Sequence, residues 1–184
     1  MISILPTFVV VSALQATQPI IIKTPELELR LLPRSPDQII SFYEARGFPE
    51  EMRDILRKQC FITVGMSNHS NKKLWHDLDS WEFHQDGKPI KRYHRNEWKE
   101  RWRKMDIPMS KQSTFRWTLL PETLDYLPGE HEGGNVILPF TDGYFSLKAT
   151  FKTGDDKQGK TITIMTDKLY CAEDAAESAS EDAK

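Results

Sequence analysis

Phe145, Leu147, Ala149 and Phe151 alternate with Tyr144, Ser146, Lys148 and Thr150 in one unbroken run. A two-residue period sends neighbouring side chains to opposite sides of an extended backbone, so this run is a half-buried strand whose apolar face needs an opposing layer. Gly154-Asp155-Asp156-Lys157-Gln158-Gly159 then joins it to Thr161-Ile162-Thr163-Ile164, a hairpin between antiparallel neighbours. The same period governs a central stretch. Cys60, Ile62, Val64 and Met66 share a face opposite Thr63, Gly65 and Ser67, with Phe61 as the exception. After the polar break SNHSNKK, Trp81 and Phe83 share a face opposite Ser80, Glu82 and His84, and the chain leaves through the turn Gln85-Asp86-Gly87-Lys88. These two arms are expected to pair at the centre of a sandwich.

The remaining segments fit round that frame. Ile20 to Leu31 reads as a strand stopped by Pro33. Ser35-Pro36-Asp37 has the form of a helix start, with Ile39, Phe42 and Tyr43 on its buried side and Gly47 at its end. Pro49-Glu50-Glu51 opens a second short helix carrying Met52, Ile55 and Leu56. These two helices are expected to cover one end of the sandwich. Lys88 to Lys104 holds eight Lys or Arg against two Glu, and Trp98, Trp102 and Met105 recur at helical spacing, giving an inserted amphipathic helix with a basic remainder. Thr114 to Leu120 reads as a strand with Phe115, Trp117 and Leu119 facing one way, followed by a long loop through Gly134 and a short strand Val136-Ile137-Leu138. The fold class is therefore mainly β, an antiparallel immunoglobulin-like sandwich with two N-terminal helices and an inserted amphipathic helix.

A chain of 184 residues with 39% hydrophobic content suits one domain, taken as residues 20–171. The formal charge of −2 gives no global reason to expect nucleic acid. No charged side chain precedes Lys23, and the apolar run from Ile4 to Leu14 exits through Gln15 and Ala16, as an export signal over residues 1–16 would. That run is too short and interrupted for a bilayer span. Cys60 and Cys171 form an obvious disulfide pair if the compartment is oxidising, and two independent thiols otherwise. Residues 172–184 are small and acidic, without the apolar surface to offset ordering, and are expected to be disordered.

Four pieces, SNHSNKK, SWEFHQDG, LPGEHEGGNVILP and YFSLKATF, together resemble the small exported bacterial domains of immunoglobulin-like sandwich type, over about Cys60 to Ile164. The resemblance implies a periplasmic or secreted protein that binds or assembles another envelope component. It carries over no catalytic residue, because each piece is a sandwich device.

Chemistry is sparse. The expected binding surface is the basic helix, with Lys91, Arg92, Arg95, Trp98, Arg101, Trp102 and Arg103, facing another envelope protein or an anionic envelope component. The plainer reading of the Trp pair is a core stripe, since apolar residues at helical spacing mark a packed face. The alternative is a periplasmic zinc or copper protein. His131 between Glu130 and Glu132, and His76 beside Asp77, are its best ligands, although none of the five histidines has ligand spacing. The pairs Asp77/Asp79 and Glu130/Glu132 sit in turn-like settings where carboxylates stay solvated rather than poised as acids. No cofactor and no catalytic group is expected.

Overall fold

The computed structural model describes residues 18–174. In chain order the elements are β1 (Ile20–Lys23), β2 (Leu27–Arg34), α1 (Pro36–Glu44), α2 (Glu50–Arg57) and β3 (Gln59–Asn68). Then come β4 (Leu74–Asp77), a 3-10 turn (Leu78–Ser80), β5 (Glu82–Gln85), β6 (Lys88–Pro89), α3 (Arg95–Lys104) and α4 (Met109–Thr118). The chain closes with β7 (Thr123–Tyr126), β8 (His131–Pro139), β9 (Tyr144–Thr153) and β10 (Ile162–Tyr170). Both the expected export signal and the acidic tail beyond Asp174 lie outside the described residues. No helix among the described residues is long and apolar enough to cross a membrane.

Two antiparallel sheets enclose the main core. One has the order β1-β2-β3-β8. The other is built on β9, with β10 along one edge and β4 then β5 in succession along the other, flanked by β7 and β6. The alternating apolar residues all face inward: Leu27, Leu29 and Leu31 with Ile62, Val64 and Met66 from one sheet, and Phe145, Leu147, Ala149 and Phe151 with Trp81 and Phe83 from the other. Burying this surface is the dominant favourable term in folding.

The two arms of the Cys60 to Phe83 stretch do not pair, contrary to expectation. β3 pairs with β2 and β8, while β4 and β5 join the opposite sheet. The polar break is a crossing between layers rather than a hairpin, and buried Asn68 fixes it. Its Nδ2 donates to the carbonyls of Lys72 and Tyr126 at 2.7 and 2.9 Å, while its Oδ1 accepts from the Ser70 amide at 2.9 Å. The exit turn is as read, with Asp86 and Gly87 at φ 50° and 75° between β5 and β6.

Ile20 to Leu31 is likewise two strands, folded at Thr24, whose hydroxyl accepts from the Leu27 amide at 3.0 Å. Pro33 lies inside β2 rather than stopping it. β1 ends at Ile20, opposite Leu31, so Pro33 pairs only with Ile62 of β3 and its missing donor leaves no ladder bond unmade on the outer side.

Helix α1 is capped as the sequence implies, by Ser35 and Gln38 reciprocally, with Gly47 at φ 65° beyond its end. Phe42, expected on its buried side, is 37% exposed, and Ile40 is buried instead. Rather than covering one end of the sandwich, α1 and α2 join α3 and α4 in a layer on the outer face of the four-stranded sheet. Phe61 and Ile137 point out of that sheet into a second core with Tyr43, Met52, Leu56, Trp98, Trp102 and Phe115. Phe61 broke the alternation because β3 is buried on both faces at that end.

The expected strand Thr114 to Leu120 is the end of helix α4 and the turn after it. Trp117 is 86% exposed while Phe115 and Leu119, one helical turn apart, are buried. Phe115 is the one buried residue within α4, so the helix has no 3.6-residue apolar period to read, and its Thr, Phe and Trp content imitates a strand.

The loop expected through Gly134 is also structured, because β8 begins at His131, opposite Ser67. The segments flanking the two helices lie along the outer edge of β8: the Tyr93 amide donates to Ile137 at 2.9 Å, and the Leu120 amide to Asn135 at 3.0 Å. Gly134 permits this approach, since a Cβ there would fall 2.6 Å from Leu120 Cα. The α3–α4 pair is thus anchored at both ends on one sheet edge, which also covers that edge.

Cys60 and Cys171 are bonded, joining β3 of one sheet to the end of β10 of the other. Of the tail expected to be disordered from residue 172, the structure describes Ala172, Glu173 and Asp174. Ala172 is buried, and Asp174 accepts from the Asp37 amide at 2.7 Å and lies 3.6 Å from Arg57.

Candidate functional site

The fold sorts the basic residues of the inserted helix by partner. Lys91 pairs with Glu97 at 3.0 Å, and Arg103 with Glu100 at 2.8 Å. Arg92 is nearly buried, with Nη2 2.6 Å from both Asp79 and Glu122. Arg101 lies over the rings of Trp98 and Tyr93, at 4.9 and 5.7 Å from their centroids. Trp98 and Trp102 are 2% and 1% exposed and stack on each other at 5.2 Å. Of the seven residues expected to form one binding surface, two are core and three have carboxylate partners.

Arg92 belongs to a closed ion network. Glu122 also accepts the Arg95 amide at 2.7 Å and lies 3.3 Å from His94 Nδ1, while Glu97 accepts the His94 amide at 2.7 Å, so two carboxylates serve the N-terminus of α3. The metal-capable atoms of Asp79, His94 and Glu122 lie within 4.8 Å of one another. Arg92 already places a positive charge between the two carboxylates. An open groove of about 460 Å³ borders the network, but the charged groups along it are paired among themselves.

The two histidines singled out as metal ligands lie on different sheets. His131 is exposed at the start of β8. His76 is buried in β4, where Nε2 is 2.8 Å from the Pro121 carbonyl and Nδ1 is 3.1 Å from the Tyr126 hydroxyl. A carbonyl can only accept, so Nε2 carries the proton and Nδ1 accepts from Tyr126. Both nitrogens of neutral His76 are engaged within the protein. Burial pushes its pKa down, with the Pro121 bond and the charges of Asp77 and Glu122 opposing in part. The unfolded chain therefore takes up a proton near the ordinary value of about 6.5 while the folded chain resists it. Stability from this group is complete above that pH and falls as pH drops below it. Urea midpoints measured between pH 7.5 and 5.5 should decline less in His76→Gln than in wild type; equal slopes would remove His76 as the cause.

A different group of cations lacks carboxylate partners. Between α3 and α4 runs a cleft of about 80 Å³, lined by Arg95, Lys99 and Arg116 over an apolar floor that includes Trp98, Trp102 and Phe115. No carboxylate lines it. Lys99, Arg116 and the Arg95 side chain make no ion pair among the described residues, in contrast to Lys91, Arg92 and Arg103. Burial and then repulsion from Arg116 make the Arg95 charge less favourable, with Glu122 compensating in part. Arg95 Nε, Trp98 Nε1 and Trp102 Nε1 are buried donors without a hydrogen-bond partner. An orphaned buried donor costs about 1–3 kcal/mol, and these three belong to residues that line one cleft, where the other side of the Arg95 guanidinium donates to the Leu119 carbonyl. Trp117, the residue after cleft-lining Arg116 in α4, is 86% exposed, and Met109 of the cleft lining is 70% exposed. Sequence reading found Arg95 but assigned Arg116 and Trp117 to a strand, and Lys99 carried no signal beyond its charge.

No family model, no curated protein and no solved structure matches this chain.

Proposed function

We propose that the chain is a non-enzymatic, exported binding or assembly module of immunoglobulin-like sandwich type, which meets another envelope component through the face formed by α3 and α4. The observation that carries this reading is a cleft between α3 and α4 whose three cations have no carboxylate partner, with the exposed Trp117 next to one of them, Arg116, in α4. Trp and Arg are the residues most enriched where binding energy concentrates, and a fully exposed indole contributes little to the fold that displays it. The disulfide between the sheets supports an oxidising, periplasmic or secreted location. Anchorage of both ends of this helical pair on β8 gives it a rigid platform.

Trp117→Ala is expected to leave stability within about 0.5 kcal/mol of wild type, as for surface changes generally, while weakening partner capture about tenfold or more. Chemical crosslinking in the native envelope fraction, with wild type and variant side by side, reads the second effect. Equal crosslinking of the same species would reject this face.

The zinc or copper reading would now rest on Asp79, His94 and Glu122 rather than His76 and His131. It ranks second because Arg92 already pairs with both carboxylates. Stoichiometric zinc uptake by the purified protein, lost in His94→Ala, would reverse that order.

A further inference from the structure

We infer that the α3–α4 cleft receives a carboxylate side chain from an acidic segment of a partner polypeptide. This rests on the binding-module reading and specifies its ligand. Five buried side-chain nitrogens lack a hydrogen-bond partner among the described residues, and three of them, Arg95 Nε, Trp98 Nε1 and Trp102 Nε1, belong to residues lining this one cleft. All three are donors. They are joined by the unpaired cations Lys99 and Arg116, so the complementary occupant is an anion rich in acceptors.

Size narrows the class further. Small-molecule sites enclose roughly 300–1,000 Å³, whereas this cleft offers about 80 Å³, room for one side chain. A single carboxylate-bearing side chain fits, with the chain that carries it lying across exposed Met109 and Trp117. An acidic polypeptide supplies both the inserted group and further charges for Lys99 and Arg116. A lipid surface presents its charge as a plane and does not lower one group between two helices.

The test uses the intact, oxidised protein and a blocked hexaglutamate peptide, with hexalysine, hexaserine and anionic phospholipid vesicles as comparison probes. Chemical shifts of the Trp98 and Trp102 indole N–H groups are followed by NMR. Hexaglutamate should move both indole resonances saturably, and hexalysine and hexaserine should not. Lys99→Glu with Arg116→Glu should weaken the response at least tenfold. Lys88→Glu with Lys104→Glu, an equal charge change at exposed residues outside the cleft, should weaken it less than threefold. Three outcomes overturn the inference: no indole shift with hexaglutamate, equal loss in both double variants, or indole shifts produced by vesicles but not by peptide. Loss of crosslinking in Trp117→Ala without any peptide response would retire the carboxylate ligand and keep the module. Absence of both effects would retire the module as well.

Discussion

Reduction of the Cys60–Cys171 bond is expected to lower the free energy of unfolding by about 5 kcal/mol, the chain-entropy value for a closed loop of this length. The two cysteines are 111 positions apart, so the bond encloses α3, α4, the whole second sheet and, from the four-stranded sheet, β8 and nearly all of β3. In the reduced unfolded chain that loop opens and its entropy rises. Little opposes this in the folded state, because both side chains are buried and two thiols fill nearly the space of the bonded pair. For a domain of this size, with a slope of about 2 kcal/mol per molar urea, the midpoint should fall by about 2.5 M. Urea unfolding with and without reductant measures it directly. A midpoint unchanged on reduction would mean that the bond does not constrain the unfolded chain, and Cys60→Ala with Cys171→Ala would then report cavity formation alone.

The second large effect belongs to the helical layer. Trp102→Ala should destabilise the protein by about 3–5 kcal/mol, the range for removing a large aromatic from a packed core. Trp102 is 1% exposed, stacks on Trp98 and meets the edge of Phe115 at 5.4 Å. Trp98 makes a similar edge contact with Phe115 at 5.5 Å, so the stacked indoles together join α3 to α4. Loss of Trp102 should also uncover Phe61 and Ile137 on the outer face of the four-stranded sheet. The contrast with Trp117→Ala, two buried-versus-exposed tryptophans of one helical pair, makes the measurement internally controlled. Parallel urea titrations of both variants would show it, and equal midpoints would mean that the second core contributes nothing to global stability.

Both effects bear on function through rigidity. The cleft between α3 and α4 keeps its shape only while the second core holds the helices on β8, and the disulfide holds the sheets against each other beneath them. A polar or charged occupant recovers the cost of the orphaned donors only if those donors are already in place.

Much of the sandwich was legible in order of residues. The alternations in β2, β3, β9 and β10, the Asp86-Gly87 turn and the cap at Ser35 are local rules, and each is obeyed in the structure. The pairing of Cys60 with Cys171 was open from sequence, and the fold settled it by bringing their Cα atoms to 5.0 Å. The candidate site was legible only in part. Charge counting marked the inserted helix, but counting cannot separate Arg92, locked between Asp79 and Glu122, from Arg95, whose side chain has no carboxylate.

What the chain determined by itself was therefore the period of each strand, the chemistry of its turns and caps, and a supply of basic and aromatic residues in one stretch. Tertiary structure alone decided which strands share a sheet, that Thr114 to Thr118 is helical, and which cations remain without partners. The physical reason is the range of the forces. Periodicity and capping act over a few residues and leave their mark in sequence, whereas burial on two faces, as at Phe61, and ion pairing across 30 residues, as between Arg92 and Glu122, arise only when distant segments meet.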